Sequence, residues 1–203
     1  ALLTMHDPSQ APILVERLIQ AVLDNHSPTN RDIQIGAILA VGAVVASMLR
    51  LKIPVSSQHL EKICLTLQAI IEKSSADKTR LPLVLASCEA IGWMSKWTNE
   101  INGIKSEEYK SLLKTIKKLL TSFDPAVVIS ASYTLGYMSL GNRRILSKPS
   151  VLSQLMATYT VKSEESHFSI GEALSLVAFG WNSPISVDTQ VISTEQESLA
   201  RES

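Results

Sequence analysis

Four glycines, Gly42, Gly92, Gly136 and Gly180, recur at intervals of 50, 44 and 44 residues, each toward the end of an apolar, helix-like run. The words around them agree: AILAVGAVVAS, CEAIGWMSKW, SYTLGYMSLG and SLVAFGWNSP. In each, an Ala or Thr stands two before the glycine and a bulky apolar residue one before it. In the last three an aromatic follows, Trp93, Tyr137 or Trp181. A chain that repeats itself at this spacing is built from stacked units, none of which buries its apolar face alone.

A period of roughly 40–47 residues with two helices per unit belongs to HEAT and armadillo solenoids. The predicted fold is therefore all-α, a stack of antiparallel helix pairs, and the 203 residues hold about four of them. Residues 1–184 read as the repeat segment and 185–203 as a polar tail or connector. A solenoid has no central pocket. Its extended surfaces bind other macromolecules.

The breaks between helices fall where turn chemistry places them. Apolar residues at helical spacing run from Pro12 to Asp24, with Thr29 or Asn30 placed to cap a second helix from Arg31 to Leu51. Pro54 enforces a break, and Ser56 or Ser57 opens a helix to Lys73. Further helices are read at Leu81–Trp97, from Ser106 to Ser122, from Pro125 behind an Asp124 cap, from Ser150 to Thr160, and from Glu164 to Gly180. Strict alternation is scarce, so strands are not expected.

A glycine inside a helix is about 1 kcal/mol worse than alanine. A repeated one implies a packing reason: without a side chain, a neighbouring helix can come close. Gly42, with a long helix beyond it, is assigned to packing. Gly180, followed by Asn182 and Pro184, is assigned to helix capping.

Composition narrows the function classes. Basic and acidic residues balance at 19 each, so bulk charge does not drive the chain onto nucleic acid or an anionic membrane. The uncharged stretch from Ile33 to Leu49 contains Gln34 and two glycines, and falls just short of a span of about 18 residues; a buried repeat helix is expected there, not membrane insertion. The first ten residues lack the basic start and apolar core of a signal peptide. Two cysteines, Cys64 and Cys88, with no CxxC, fit a reducing compartment.

Chemistry-bearing constellations are missing. The four histidines are far apart, and no HExxH, P-loop, GxGxxG or GxSxG occurs, so no metal, no cofactor and no catalytic residue is expected. The pairs Glu107–Glu108 and Glu164–Glu165 stand at helix starts, where they complement the dipole. Glu89 and Glu172 interrupt apolar helices. Each is either an exposed face position or a partly buried carboxylate bonded to a neighbouring repeat's turn. Arg143, Arg144 and Lys148 form the densest basic cluster, in a connector read as Gly141 to Pro149, and are the candidate partner-contact ridge.

From Ser132 onward the wording becomes specific. Leu135, Gly136 and Tyr137 lead, after one helix, to Phe168, Ser169, Ile170, Gly171, Glu172 and Ala173. This LGY word followed by FSIGEA resembles a segment of the very large HEAT-repeat proteasome adaptor and scaffold proteins. GAILAVGAVVASML is similar to the preceding repeat of that family, and CEAIGWMSKW occupies the repeat between. The resemblance covers roughly residues 35–181 and makes Phe168, Gly171 and Glu172 structural repeat positions beside the four glycines. It implies an internal segment of a non-enzymatic adaptor whose protein partners are 26S proteasome subunits, bridging the regulatory and core particles, in the cytoplasm and also the nucleus. An importin-type transport receptor is the alternative, favouring acidic inner faces and a GTPase-binding region.

Overall fold

The computed structural model describes residues 10–25, 27–74, 77–97, 106–141 and 148–179. The segment 185–203, read as a tail, lies outside them. Among the described residues there are eight α-helices and no strand: α1 Ala11–Asp24, α2 Arg31–Arg50, α3 Ser57–Ser74, α4 Leu81–Trp97, α5 Ser106–Leu119, α6 Pro125–Gly141, α7 Lys148–Val161 and α8 Glu164–Phe179. The all-α solenoid expectation holds, and most boundaries fall within a residue or two of those read from turn chemistry.

Local rules account for the ends. The Asp124 carboxylate accepts from the Ala126 backbone N–H at 2.9 Å and caps α6, and Ser56 Oγ accepts from the His59 N–H at 3.2 Å at the start of α3. The α2 cap differs from expectation. Neither Thr29 nor Asn30 caps it with a side chain; Pro28–Asn30 form a 3₁₀ turn that feeds directly into the helix. Helix α5 also stops earlier than expected. After Leu119 the bonding switches to the tighter pattern, with Thr121 N–H on the Lys118 carbonyl and Ser122 N–H on that of Leu119. Helix α2 closes with Lys52 in the left-handed region (φ 59°), its N–H on the Leu49 carbonyl and that of Ile53 on Met48. This is the closing geometry that usually employs glycine.

Consecutive helices pair as hairpins, α1 with α2, α3 with α4, α5 with α6 and α7 with α8. Buried polar bonds fix the antiparallel sense. Gln34, early in α2, donates to the Val22 carbonyl near the end of α1 at 2.9 Å. The wholly buried Tyr109, early in α5, donates its hydroxyl to the Met138 carbonyl late in α6 at 2.7 Å. A single apolar core runs the length of the stack, from Val15 and Ile19 through Leu60, Ile91, Leu112 and Leu135 to Leu155, Ile170 and Val177.

The two layers are unequal. Successive even-numbered helices pack extensively on one another, whereas successive odd-numbered helices touch little. The glycines explain the difference. A Cβ built on Gly42 falls 2.6 Å from the Ala90 Cα of α4, closer than real side chains approach backbone. On Gly92 it meets a Tyr137 ring carbon at 3.2 Å and the Thr134 Cα at 3.6 Å; on Gly136, the Ala173 Cα at 3.3 Å and a Leu176 methyl at 2.9 Å. Each glycine thus receives the Ala or Thr of the next even helix. Thr134 adds a cross-repeat bond, its hydroxyl on the Cys88 carbonyl at 2.9 Å. Close even helices and splayed odd ones curve the stack, with the even layer inside.

The ladder departs from the sequence spacing at its last step. Ala90 and Thr134 stand two before Gly92 and Gly136, but the residue beneath Gly136 is Ala173, and two beyond it is Ser175. Gly180 lies outside the described residues. On α8 the slot equivalent to the glycines is therefore held by Ser175. Helix α2 is long and apolar enough to cross a membrane, yet 56% of its apolar stretch is buried in the stack against α1 and α4.

Candidate interaction surface

Apolar residues on the inner layer cannot all turn inward, because α4 and α6 each face a hairpin partner and two even neighbours. What remains between them is a groove of about 410 Å³. Leu85, Trp93, Ile129, Tyr133 and Tyr137 line it, and Glu89 stands on its wall. Two of the three aromatics that follow the repeat glycines, Trp93 and Tyr137, are thus brought to one surface, and the third, Trp181, lies outside the described residues. Large rings held with only two rotatable bonds supply contact area at low entropic cost, which is why such residues anchor interfaces.

The charged groups around this groove are arranged, not scattered. Lys96 Nζ stands 5.5 Å from the Tyr137 ring centroid and 5.6 Å from that of Trp97, and the Arg50 guanidinium is 5.9 Å from Trp97. Glu172 on α8 brings its carboxylate up to the Tyr133 phenol of α6. Burial first, and then this carboxylate, push the Tyr133 phenol above its ordinary range, and the same two causes raise Tyr137. Both phenols therefore remain neutral donors at physiological pH. Of the two readings left open for the acidic residues, Glu89 is the exposed face position. Glu172 is half-buried, and what it faces is a tyrosine within the helix of a neighbouring repeat, not that repeat's turn.

The other sequence-derived positions fall out differently. Arg143 and Arg144 lie outside the described residues. Lys148 opens α7 instead of lying in the connector, because Pro149 is tolerated in a helical first turn. Phe168 and Gly171, read as structural repeat positions, do not face the core. Helix α8 buries Ser166, Ser169, Ile170, Ala173 and Val177, and Phe168 projects from the other side, 77% exposed. A Cβ on Gly171 meets nothing within 4 Å. Sequence reasoning missed Tyr133 and Lys96; the i, i+4 spacing of Tyr133 and Tyr137 was the available signal.

The nucleophiles are withdrawn from chemistry. Cys64 and Cys88 are buried, and burial pushes each thiol up to about 12, so both act as packing groups. His59 stands 3.5 Å from a Glu16 carboxylate oxygen on the outer layer, and His167 stacks on Tyr159 at 4.3 Å. Glu164 and Glu165 occupy the exposed first turn of α8. Among the described residues no three His, Cys, Asp or Glu side chains gather to hold a metal.

No family model matches the chain. Among curated proteins it is 30% identical over 200 residues to the proteasome adapter and scaffold protein ECM29 of Homo sapiens. The alignment takes in 90% of this chain, a larger share than the residues on which the resemblance was read, and 11% of that protein. The chain thus spans a small fraction of the length of the relative it matches. Among solved structures, the crystal structure of an engineered protein aligns with a TM-score of 0.43 at 13% identity, over 88% of this chain and 77% of that one, a likeness too loose to argue from. The resemblance carried by LGY and FSIGEA holds: the chain matches an internal segment of a large proteasome adapter and scaffold protein.

Proposed function

We propose that this chain is a non-enzymatic adaptor segment that binds 26S proteasome subunits and helps to bridge the regulatory and core particles, in the cytoplasm and the nucleus. The observation that carries the reading is the match along 90% of the chain to a proteasome adapter and scaffold protein. The curved stack supports it, since its inner layer offers a rigid aromatic groove to a protein partner and buries its thiols. In this reading Trp93, Tyr133 and Tyr137 supply the apolar contact, and Arg143, Arg144 and Lys148 form a ridge that steers encounter. Exposed charges act on association rate and salt dependence more than on affinity.

The test is affinity purification of the tagged chain from cells, followed by mass spectrometry, beside the variant Trp93→Ala/Tyr137→Ala. Proteasome subunits are expected in excess with the parent chain and depleted with the variant. Nuclear-pore components and a small GTPase without proteasome subunits would establish the transport-receptor alternative instead. With purified 26S proteasome, reversal of Arg143, Arg144 and Lys148 to Glu is expected to slow association at low salt only. Equal rates in a folded mutant remove the ridge from the interface.

A further inference from the structure

The splaying of the odd-numbered helices opens a second kind of surface, on the opposite side of the stack from the aromatic groove. Between α3, α5 and α7 lies a groove of about 890 Å³. Lys110, Lys114, Lys117 and Lys118 line it, against a single carboxylate, Glu72. In a chain with no net charge this is a marked local excess of positive charge.

Polar bonds link the helices that form the walls. Gln68 of α3 donates to Ser111 Oγ of α5 at 2.9 Å, and Thr115 of α5 donates to the Glu72 carboxylate at 2.9 Å. On the other side Gln154 of α7 donates to the Lys117 carbonyl at 3.0 Å, and Lys117 Nζ donates to Ser150 Oγ at 2.9 Å. Glu72 is thereby tied into the wall, and its carboxyl is held below the usual range, first by Gln68, then by Thr115, with the Lys118 charge adding to it. Lys110, Lys114 and Lys118 are exposed and stand one turn apart along α5.

We infer that this groove docks an acidic segment of a protein partner in extended conformation, its carboxylates on Lys110, Lys114 and Lys118. The spacing fits. Residues four apart on a helix are separated by about 6 Å along its axis. Alternate residues of an extended strand are about 6.6 Å apart and share one face. Acidic side chains at every second position of a peptide therefore meet successive lysines. Single-stranded nucleic acid fits less well. The groove lining has no aromatic ring on which a base could stack and no arginine fork to grip a phosphate, and it presents Glu72. The inference holds for this segment whether or not its partner belongs to the proteasome, and its test uses no proteasome.

The experiment is fluorescence anisotropy of the 203-residue chain with a fluorescein-labelled peptide carrying Glu at three alternate positions among serines, at about 50 mM and about 300 mM salt. Measurable binding at low salt, weakened several-fold at high salt, is expected. Lys110→Glu/Lys114→Glu/Lys118→Glu should weaken it at least tenfold, and Arg17→Glu/Lys52→Glu, exposed on the first helix pair, should leave it unchanged. If the triple reversal does not fold by circular dichroism, Lys114→Gln/Lys118→Gln is read instead, with a loss of about threefold or more expected. Absence of peptide binding at low salt, equal loss in the Arg17/Lys52 control, or tighter binding of a single-stranded RNA of equal charge would overturn the inference.

Discussion

The inner helices α2, α4 and α6 of this stack are apolar around most of their circumference, the outer helices α1, α3 and α5 are apolar along one stripe only, and the two layers pack by different means. On the inner layer the residue at the point of contact is glycine facing alanine or threonine, and backbones meet with almost nothing between them. On the outer layer the gaps are bridged by long polar side chains, as where Lys62 Nζ reaches the Glu16 carboxylate at 2.6 Å between α3 and α1, or Gln68 reaches Ser111. Contact through small residues leaves no room for adjustment. Bridging by exposed polar chains is loose and contributes little. The lesson is that curvature, and with it the two different grooves, comes from side-chain size at three positions.

The sharpest way to break this comparison is to give Gly42 a side chain. Gly42→Ala should destabilise the protein although alanine is the better helix former, because its Cβ collides with Ala90 backbone that cannot step aside; roughly 1–3 kcal/mol is expected, and Gly42→Leu should be worse. Urea unfolding followed by circular dichroism measures it. An unchanged midpoint would mean that α2 and α4 are not in intimate contact.

Gly36 supplies the control from the same helix. It is exposed, and nothing lies within 4 Å of a Cβ added there. Gly36→Ala should therefore stabilise by about 0.5–1 kcal/mol, through helix propensity and a less flexible unfolded chain. A loss of stability in the same denaturation measurement would place Gly36 in a contact that the structure does not contain.

The smallest effect is expected on the outer layer. The hydrogen bond from Lys62 holds the Glu16 carboxyl below its ordinary 4.5, with the Lys62 and His59 charges adding to it. A carboxyl with a depressed folded-state value stabilises the fold above pH 4.5 and loses that contribution as pH falls through the lowered value. Glu16→Gln should lower Tm at neutral pH by about a degree or less, and the difference should close on acidification. A large Tm drop, or one that grows in acid, would make the outer layer as exacting as the inner one.

Helix boundaries were legible in the sequence because caps and breakers act locally: Asp124 before Pro125, Ser56 beyond Pro54 and the glutamates at the start of α8 each act within a turn of their own position. The period and its glycines determined the fold class as well, since a regular slot for a missing side chain has no purpose outside a stack. Tertiary structure alone decided what those slots face. Gly42 rests on Ala90, and the last rung falls at Ala173 and Ser175 and not at the spacing set by Gly180, because register between helices depends on how two whole surfaces interlock. It also decided the surfaces. Glu89 and Glu172 look alike in sequence, yet Glu89 is exposed, whereas Glu172 is half-buried and acts on the Tyr133 and Tyr137 phenols of α6. The lysines of α5 share one helix face by their spacing, and they line a groove only because α3 and α7 stand on either side of them. Charge and exposure at a surface are sums over neighbours distant in the chain, and one-dimensional spacing carries no record of them.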